Sequence, residues 1–304
     1  MRRYIPIAIA TFIWIWPPIL IKMLSFHFDA YTQNFYRYLA GSSILMVINL
    51  IYRKRKLFSS LKRIKKFILP AMLVFLYQIS FVGGIYLLTP TVASLIGKSS
   101  VLFTTLFSFV LFSDERKIIR SRSFIAGSLL AILGVYGVIA GRGSVELAGF
   151  NLGAILILIG SVMWSLYTIV VKVMVREVDP FESASIVFML SLPLFFIFAL
   201  LFGDMKALKV APKGIVAILF LSGALCVGIA NAFNYKSIKL IGTVISSNLI
   251  LLTPFFTAIA SYLIFKETLS IYQILSGAAL LAGCSILVTT NRSSENNHKA
   301  LNGR

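Results

Sequence analysis

Ten stretches of about 20 mostly apolar residues follow one another along this 304-residue chain, separated by short polar connections. They are residues 4–23, 31–52, 67–88, 91–112, 122–140, 150–171, 181–202, 212–233, 242–265 and 271–290. Each is long enough to cross a bilayer core as a helix. Lipid offers the backbone no hydrogen bonds, so a segment inside it must satisfy its own N–H and C=O groups, which an α-helix does and an open sheet does not. Composition agrees: 59% of residues are hydrophobic, 13% are charged, and the mean hydropathy is +0.92. No soluble domain of this size looks like that. The expected fold class is all-α, a polytopic membrane protein with ten transmembrane helices.

The formal net charge of +19 does not point to nucleic acid, because the basic residues lie between apolar segments rather than on one soluble face. They set orientation instead. With the N-terminus inside, the inner segments hold Arg2, Arg3, eight basic residues in 53–66, Arg116, Lys117, Arg120, Arg122, Lys172, Arg176, Lys236, Lys239, Arg292, Lys299 and Arg304. The outer loops hold only Arg142, Lys206, Lys209, Lys213 and Lys266. This predicts a multi-pass protein of the plasma (inner) membrane with both termini cytoplasmic. The run 53–66 sets topology and also suits anionic lipid headgroups. No cleavable signal site follows the first apolar run, which therefore reads as the first span. Cys226 and Cys284 lie in apolar segments and read as buried thiols that pack like small hydrophobes. No metal or other cofactor is expected.

The chain repeats itself. Trp14, Lys22 and Asp29 recur 150 residues later as Trp164, Lys172 and Asp179, and Phe103 and Glu115 recur 152 residues later as Phe255 and Glu267. Five spans per repeat is an odd number, so the second half enters the membrane from the opposite side. Inverted repeats characterise secondary transporters, whose substrate site lies near the midplane between the halves. The expected organisation is a first five-helix repeat over 1–140, a second inverted repeat over 141–290, and a disordered polar cytoplasmic tail over 291–304. Pro90, Pro180 and Pro212 open spans, where a missing N–H is harmless. Pro17, Pro18, Pro193 and Pro254 lie inside spans and should bend them.

Several of these residues also carry a likeness. Trp14 through Lys22, Arg37, Trp164 through Lys172, the stretch 242–258 and the Lys266-Glu267 end of the ninth span, with Asp114-Glu115 as its first-half counterpart, resemble the EamA family of the drug/metabolite transporter superfamily. The likeness covers nearly the whole chain to about residue 290. It implies a five-plus-five helix fold and transport of metabolites, amino acids among them, and is weak for substrate. Lys98 departs from it, because the family pattern usually has a small or neutral residue there.

Lys98 is the leading candidate for substrate contact. A cation amid apolar residues costs a few kcal/mol unless it meets a partner, water or an anion. It could hold a substrate carboxylate or phosphate, or it could bond backbone carbonyls or snorkel. Arg37 lies roughly 9 Å into its span by helix rise, and could pair with Asp29 or face an outer vestibule. Trp14 and Trp164 sit near mid-span, away from the interfacial belt where tryptophans usually lie. They could stack on a substrate or fill the bundle core. Gln78 and Asn248 are polar groups at depth that either line a cavity or bond across helices. Tyr77 and Tyr167 could add hydroxyl donors or simply pack.

None of the ten carboxylates lies near mid-span, so coupling through an intramembrane acid is not expected. The expected function is a monomeric secondary transporter working by alternating access, as facilitator or exchanger, for small polar metabolites. Amino acids and export are the first expectation, with an exporter of hydrophobic or drug-like compounds as the alternative. Paired intramembrane aspartates, a His-Glu-x-x-His run, and a Gly-x-Ser-x-Gly with a partner histidine are all missing, so no enzyme is expected. A channel would show a filter or a charged pore ring.

Overall fold

The computed structural model describes residues 2–61, 64–111, 122–140 and 147–302. Every regular element among them is helical. In chain order these are α1 (Ile5–Ile13), α2 (Pro17–Leu24), α3 (Ala30–Leu61), α4 (Lys65–Leu87), α5 (Pro90–Gly97), α6 (Ser99–Leu111) and α7 (Arg122–Ala140). The second half holds α8 (Leu147–Glu177), α9 (Pro180–Phe202), the short α10 (Ala207–Val210), α11 (Lys213–Ser222), a π turn (Gly223–Ile229), α12 (Ala230–Ile250), α13 (Thr253–Phe265) and α14 (Ile271–Asn302). Six described helical segments are long and apolar enough to cross a membrane: Ile5–Leu24, Ala30–Tyr52, Lys65–Leu87, Asn151–Glu177, Pro180–Phe202 and Lys213–Ile241. Shorter apolar helices cover Arg122–Val138, Thr253–Phe265 and Ile271–Ile286. Large apolar side chains such as Phe12, Leu133, Tyr136 and Tyr272 stay exposed on the outside, as expected of a bundle whose surrounding solvent is hydrocarbon.

Three spans that hydropathy draws as continuous are interrupted. The first breaks between α1 and α2, where Pro17 and Pro18 cannot donate to the carbonyls of Ile13 and Trp14. Ile13 O is taken instead by Trp16 N at 3.2 Å. The neighbouring Ile15 carbonyl accepts from Thr257 Oγ1 at 2.9 Å. The fourth breaks at Lys98, between α5 and α6, and the ninth at Leu251 and Leu252, between α12 and α13. The last two breaks occupy corresponding places in the two halves.

The chain between the expected eighth and ninth spans stays helical by its hydrogen bonds, yet it reverses. Ser237 Oγ and Ser246 Oγ meet at 2.6 Å. Nine residues of straight helix would separate them by about 13 Å, so the axis folds back between them. At the C-terminus the backbone of α14 is helical to Asn302, past residue 290, where composition predicts a disordered tail. That stretch contains no proline, and its first glycine is Gly303, so nothing in it breaks a helix.

The recurring residues have local jobs. Asp29 Oδ1 accepts from Tyr31 N and Thr32 N, both at 2.9 Å, and its counterpart Asp179 accepts from Phe181 N at 2.9 Å. Both are helix N-caps, of α3 and α9. Lys22 Nζ donates to the carbonyls of Ile85 and Tyr86 at the end of α4, at 3.3 and 3.1 Å. Such a cation relieves orphan carbonyls and suits the negative end of the helix dipole.

The main packing contacts join the halves. α1 packs on α12, α3 on α9 and the π turn, α4 on α8, α5 on α13, and α7 on α14. Small residues permit the close seams. A Cβ on Gly134 would lie 2.6 Å from Leu280 Cα, and one on Gly283 would lie 3.0 Å from Ala131 Cα. With the helices facing each other across the halves, the space left between them is the bundle's centre.

Candidate functional site

Four helices turn the same kind of stripe toward that centre. On α4 it is Val74, Tyr77, Gln78 and Phe81; on α8 it is Ser161, Trp164 and Thr168; on α5 and α6 it is Ser94, Gly97, Lys98 and Val101. These spacings of three, four and seven put each set on one helix face. α1 and α2 add Trp14, Pro17 and Pro18, and α3 adds Arg37. The π turn and α12 add Cys226, Val227 and Asn231, and Ile250 and Thr253 also line it. The empty space among these residues is about 1120 Å³, open solvent at its mouth included. All three helix breaks border it, where irregular backbone at membrane depth is expected to line a cavity.

The carbonyls loosened at the Lys98 break are claimed from the second half. Ser161 Oγ lies 3.3 Å from Gly97 O and Ser165 Oγ 2.8 Å from Ser100 O, and each hydroxyl shares its proton with the carbonyl one turn back on α8, Ile157 O at 2.9 Å and Ser161 O at 2.7 Å. Cys284 Sγ contacts Lys98 O at 3.5 Å. The Lys98 backbone is therefore held while its side chain enters the cavity. Among the described residues, its Nζ has neither an ion pair nor a hydrogen bond.

Arg37 is 1% exposed and also borders the cavity. Its Nε donates to Ser222 Oγ at 3.2 Å, and its Nη1 has no partner. The pairing with Asp29 considered from sequence does not form. Asp29 is consumed by three backbone N–H groups, those of Tyr31, Thr32 and Asp204. No described lining residue is a carboxylate, so two cations face this space without an acid beside them.

An aromatic wall stands with them. The rings of Trp14 and Trp164 meet edge to face at 5.6 Å between centroids, and Tyr77 lies 4.8 Å from Trp164. Because the two tryptophans are counterparts in the repeat, their contact places both at the seam of the halves. Trp14 Nε1 donates to Cys226 O at 3.2 Å, a carbonyl of the π turn. Asn231 Nδ2 takes Val227 O at 2.9 Å and reaches Cys226 O at 3.3 Å, leaving its own Oδ1 without a partner. A π turn loosens the regular helix ladder, and such turns are frequent at functional sites.

Of the eight residues singled out from sequence, Lys98, Arg37, Trp14, Trp164, Tyr77 and Gln78 border the cavity. Tyr167 does not. It is buried behind Trp164, 5.4 Å between ring centroids, with its hydroxyl 2.5 Å from that of Tyr235. The Asn248 side chain lies outside the described residues. Sequence reading passed over Ser161, Ser165 and Thr168, although their helical spacing beside Trp164 was a readable signal.

Each half also matches one known family. The EamA-like transporter family aligns with residues 2–140 and again with 151–289. The chain belongs to the EamA-like transporter family. Relatives include an uncharacterized transporter of Haemophilus influenzae, 26% identical over 279 residues, 87% of this chain and 90% of that protein. An uncharacterized transporter of Archaeoglobus fulgidus is 25% identical over 289 residues, covering 93% and 96%. A solved crystal structure overlays 96% of this chain and 98% of its own at a TM-score of 0.67 and 16% identity, which shows the shared fold. In this EamA protein the double match agrees with the residue repeat, and the cavity lies where two such units meet.

Proposed function

We propose that the protein is a secondary transporter for small polar metabolites bearing an acidic group, amino acids and related carboxylates first among them. The observation that carries this reading is the placement of Lys98 and Arg37 on one cavity between the halves, with no carboxylate among its described lining residues. Arg37 offers the planar fork suited to a carboxylate or phosphate, and Lys98 a compact charge. Trp14, Trp164 and Tyr77 supply an apolar wall, while Gln78 and Asn231 offer amide groups for the rest of the cargo. Ten spans in two inverted sets of five, with both termini in the cytoplasm of a plasma-membrane protein, would let the halves rock around this fixed site. The described lining provides no acid to couple to protons, which favours facilitated movement or exchange; export is the proposed direction.

Counterflow in liposomes at equal pH tests this, using a panel of labelled amino acids and their oxo-acids. Accumulation without an ion gradient is expected, with at least a tenfold rise in KM on Lys98→Ala. Unchanged rate and KM for every transported compound would remove Lys98 from the site.

A further inference from the structure

Resting on the carrier reading above and narrowing it from amino acids at large to acids of net negative charge, we infer that the cavity selects cargo of net negative charge and that the membrane potential alone drives its export. The starting point is an imbalance. Arg37 Nη1 is buried without a partner, and Lys98 Nζ has none among the described residues. Both face one cavity whose described lining holds no Asp or Glu. A zwitterion brings its own cation into this doubly cationic space. A net anion brings none, and completes the pairing that a buried charge requires.

The charge belongs to the site and not to the scaffold. Both cations come from the first half. Their counterparts in the second, by the same offsets that pair the tryptophans and the glutamates, are Val187 and Ile250, neither of which can ionise. Ile250 borders the same cavity as Lys98. Duplication alone would not have produced one charged and one apolar partner at equivalent depth.

The energetics then need no second ion. In a cell negative inside, each 100 mV favours outward movement of a monoanion by roughly fifty-fold in concentration ratio. A proton relay through a carboxylate has no candidate among the described lining residues, and anion efflux down the potential does not call for one. The Trp14–Trp164–Tyr77 wall adds that the cargo has an apolar or planar body next to its acid.

The test uses the purified full chain in liposomes, with the potential set by potassium and valinomycin. The labelled probes are phenylalanine (net zero), phenylpyruvate and glutamate (each one net negative charge) and phthalate (two). Phenylpyruvate or phthalate should leave at least tenfold faster than phenylalanine, speed up when its own side is negative, and slow when the polarity is reversed. Lys98→Met and Arg37→Gln should each cut anion flux at least tenfold and narrow the gap to phenylalanine, while Lys98→Arg retains most of the flux. A thermal midpoint measured for each variant separates loss of charge from loss of fold. Phenylalanine moving as fast as the anions, or anion flux indifferent to potential, overturns this inference and leaves the carrier reading intact. No flux of any probe at either polarity overturns both.

Discussion

Gly223→Ala places a methyl group into the seam between α3 and the π turn, and the structure fixes its effect. The new Cβ would stand 2.7 Å from Arg37 Cα and 2.9 Å from Ala40 Cβ, with the Arg37 carbonyl oxygen closer still. Ordinary contact begins near 3.4 Å. The two backbones must therefore part by more than 0.7 Å, because the carbonyl oxygen is nearer than the Cα, and no side chain can rotate aside to spare them. Overpacking of this kind costs about 1–3 kcal/mol. It also pushes on the residue that carries a cavity cation, whose Nε is tied to Ser222 next to the substituted position. The expected result is a lower thermal midpoint in detergent and a KM raised several-fold for the anion proposed as cargo. Gly214→Ala is the control, since nothing lies within 4 Å of a Cβ there, and it should shift stability by no more than about 0.5 kcal/mol. If Gly223→Ala matches Gly214→Ala in both thermal midpoint and KM, the seam yields freely and the placement of Arg37 does not depend on it.

Three further outcomes follow from single contacts. Glu267 Oε2 accepts from Thr91 N, Thr91 Oγ1 and Ser261 Oγ, tying the end of α13 to the start of α5; Glu267→Ala should destabilise by about 3 kcal/mol, far more than Lys213→Ala, in a thermal melt of the purified protein. Lys266 sits at φ 55°, the left-handed region, where glycine costs nothing; Lys266→Gly should raise stability by about 0.5 kcal/mol after losing the contact with Tyr262, and a drop instead would show that the Lys266 side chain matters more than its backbone. Trp14→Leu and Trp164→Leu should be non-additive by about 0.5–1.5 kcal/mol in a double-mutant cycle, because the rings touch; strict additivity would mean that the edge-to-face pair contributes nothing of its own.

What the sequence made legible was what lipid enforces locally. Apolar runs become helices because nothing else satisfies their backbone, and Pro17 and Pro18 break the first span because they lack N–H groups. The break at Lys98 was not legible. Neither Gly97 nor Lys98 forbids a helix, and the carbonyls there are claimed by Ser161, Ser165 and Cys284, residues 64 to 186 positions away. Arg37 is similar: its depth could be counted, but its partner Ser222 lies 185 positions on. Asp29 and Asp179, which mark the repeat in the sequence, are caps that each copy of the helix start needs. Recurrence in this chain marks architecture.

That distinction extends to the cavity. The features present twice build the frame: the capped starts of α3 and α9, the breaks near Lys98 and Leu251, and the tryptophans that meet at the seam. The features present once give the frame its chemistry. Pro17 and Pro18 interrupt only the first tryptophan helix, since their counterparts Tyr167 and Thr168 leave α8 unbroken. Lys98 corresponds to Ile250, and Arg37 to Val187. In the carrier proposed above, inward and outward forms of a site between two inverted units stay nearly balanced when the units are mechanically alike, whereas discrimination among cargoes comes from groups that are not duplicated. With both cations on one unit, the proposed charge preference rests on Lys98 and Arg37, whose counterparts cannot ionise, while the paired caps and the breaks near Lys98 and Leu251 keep the two halves alike where they recur.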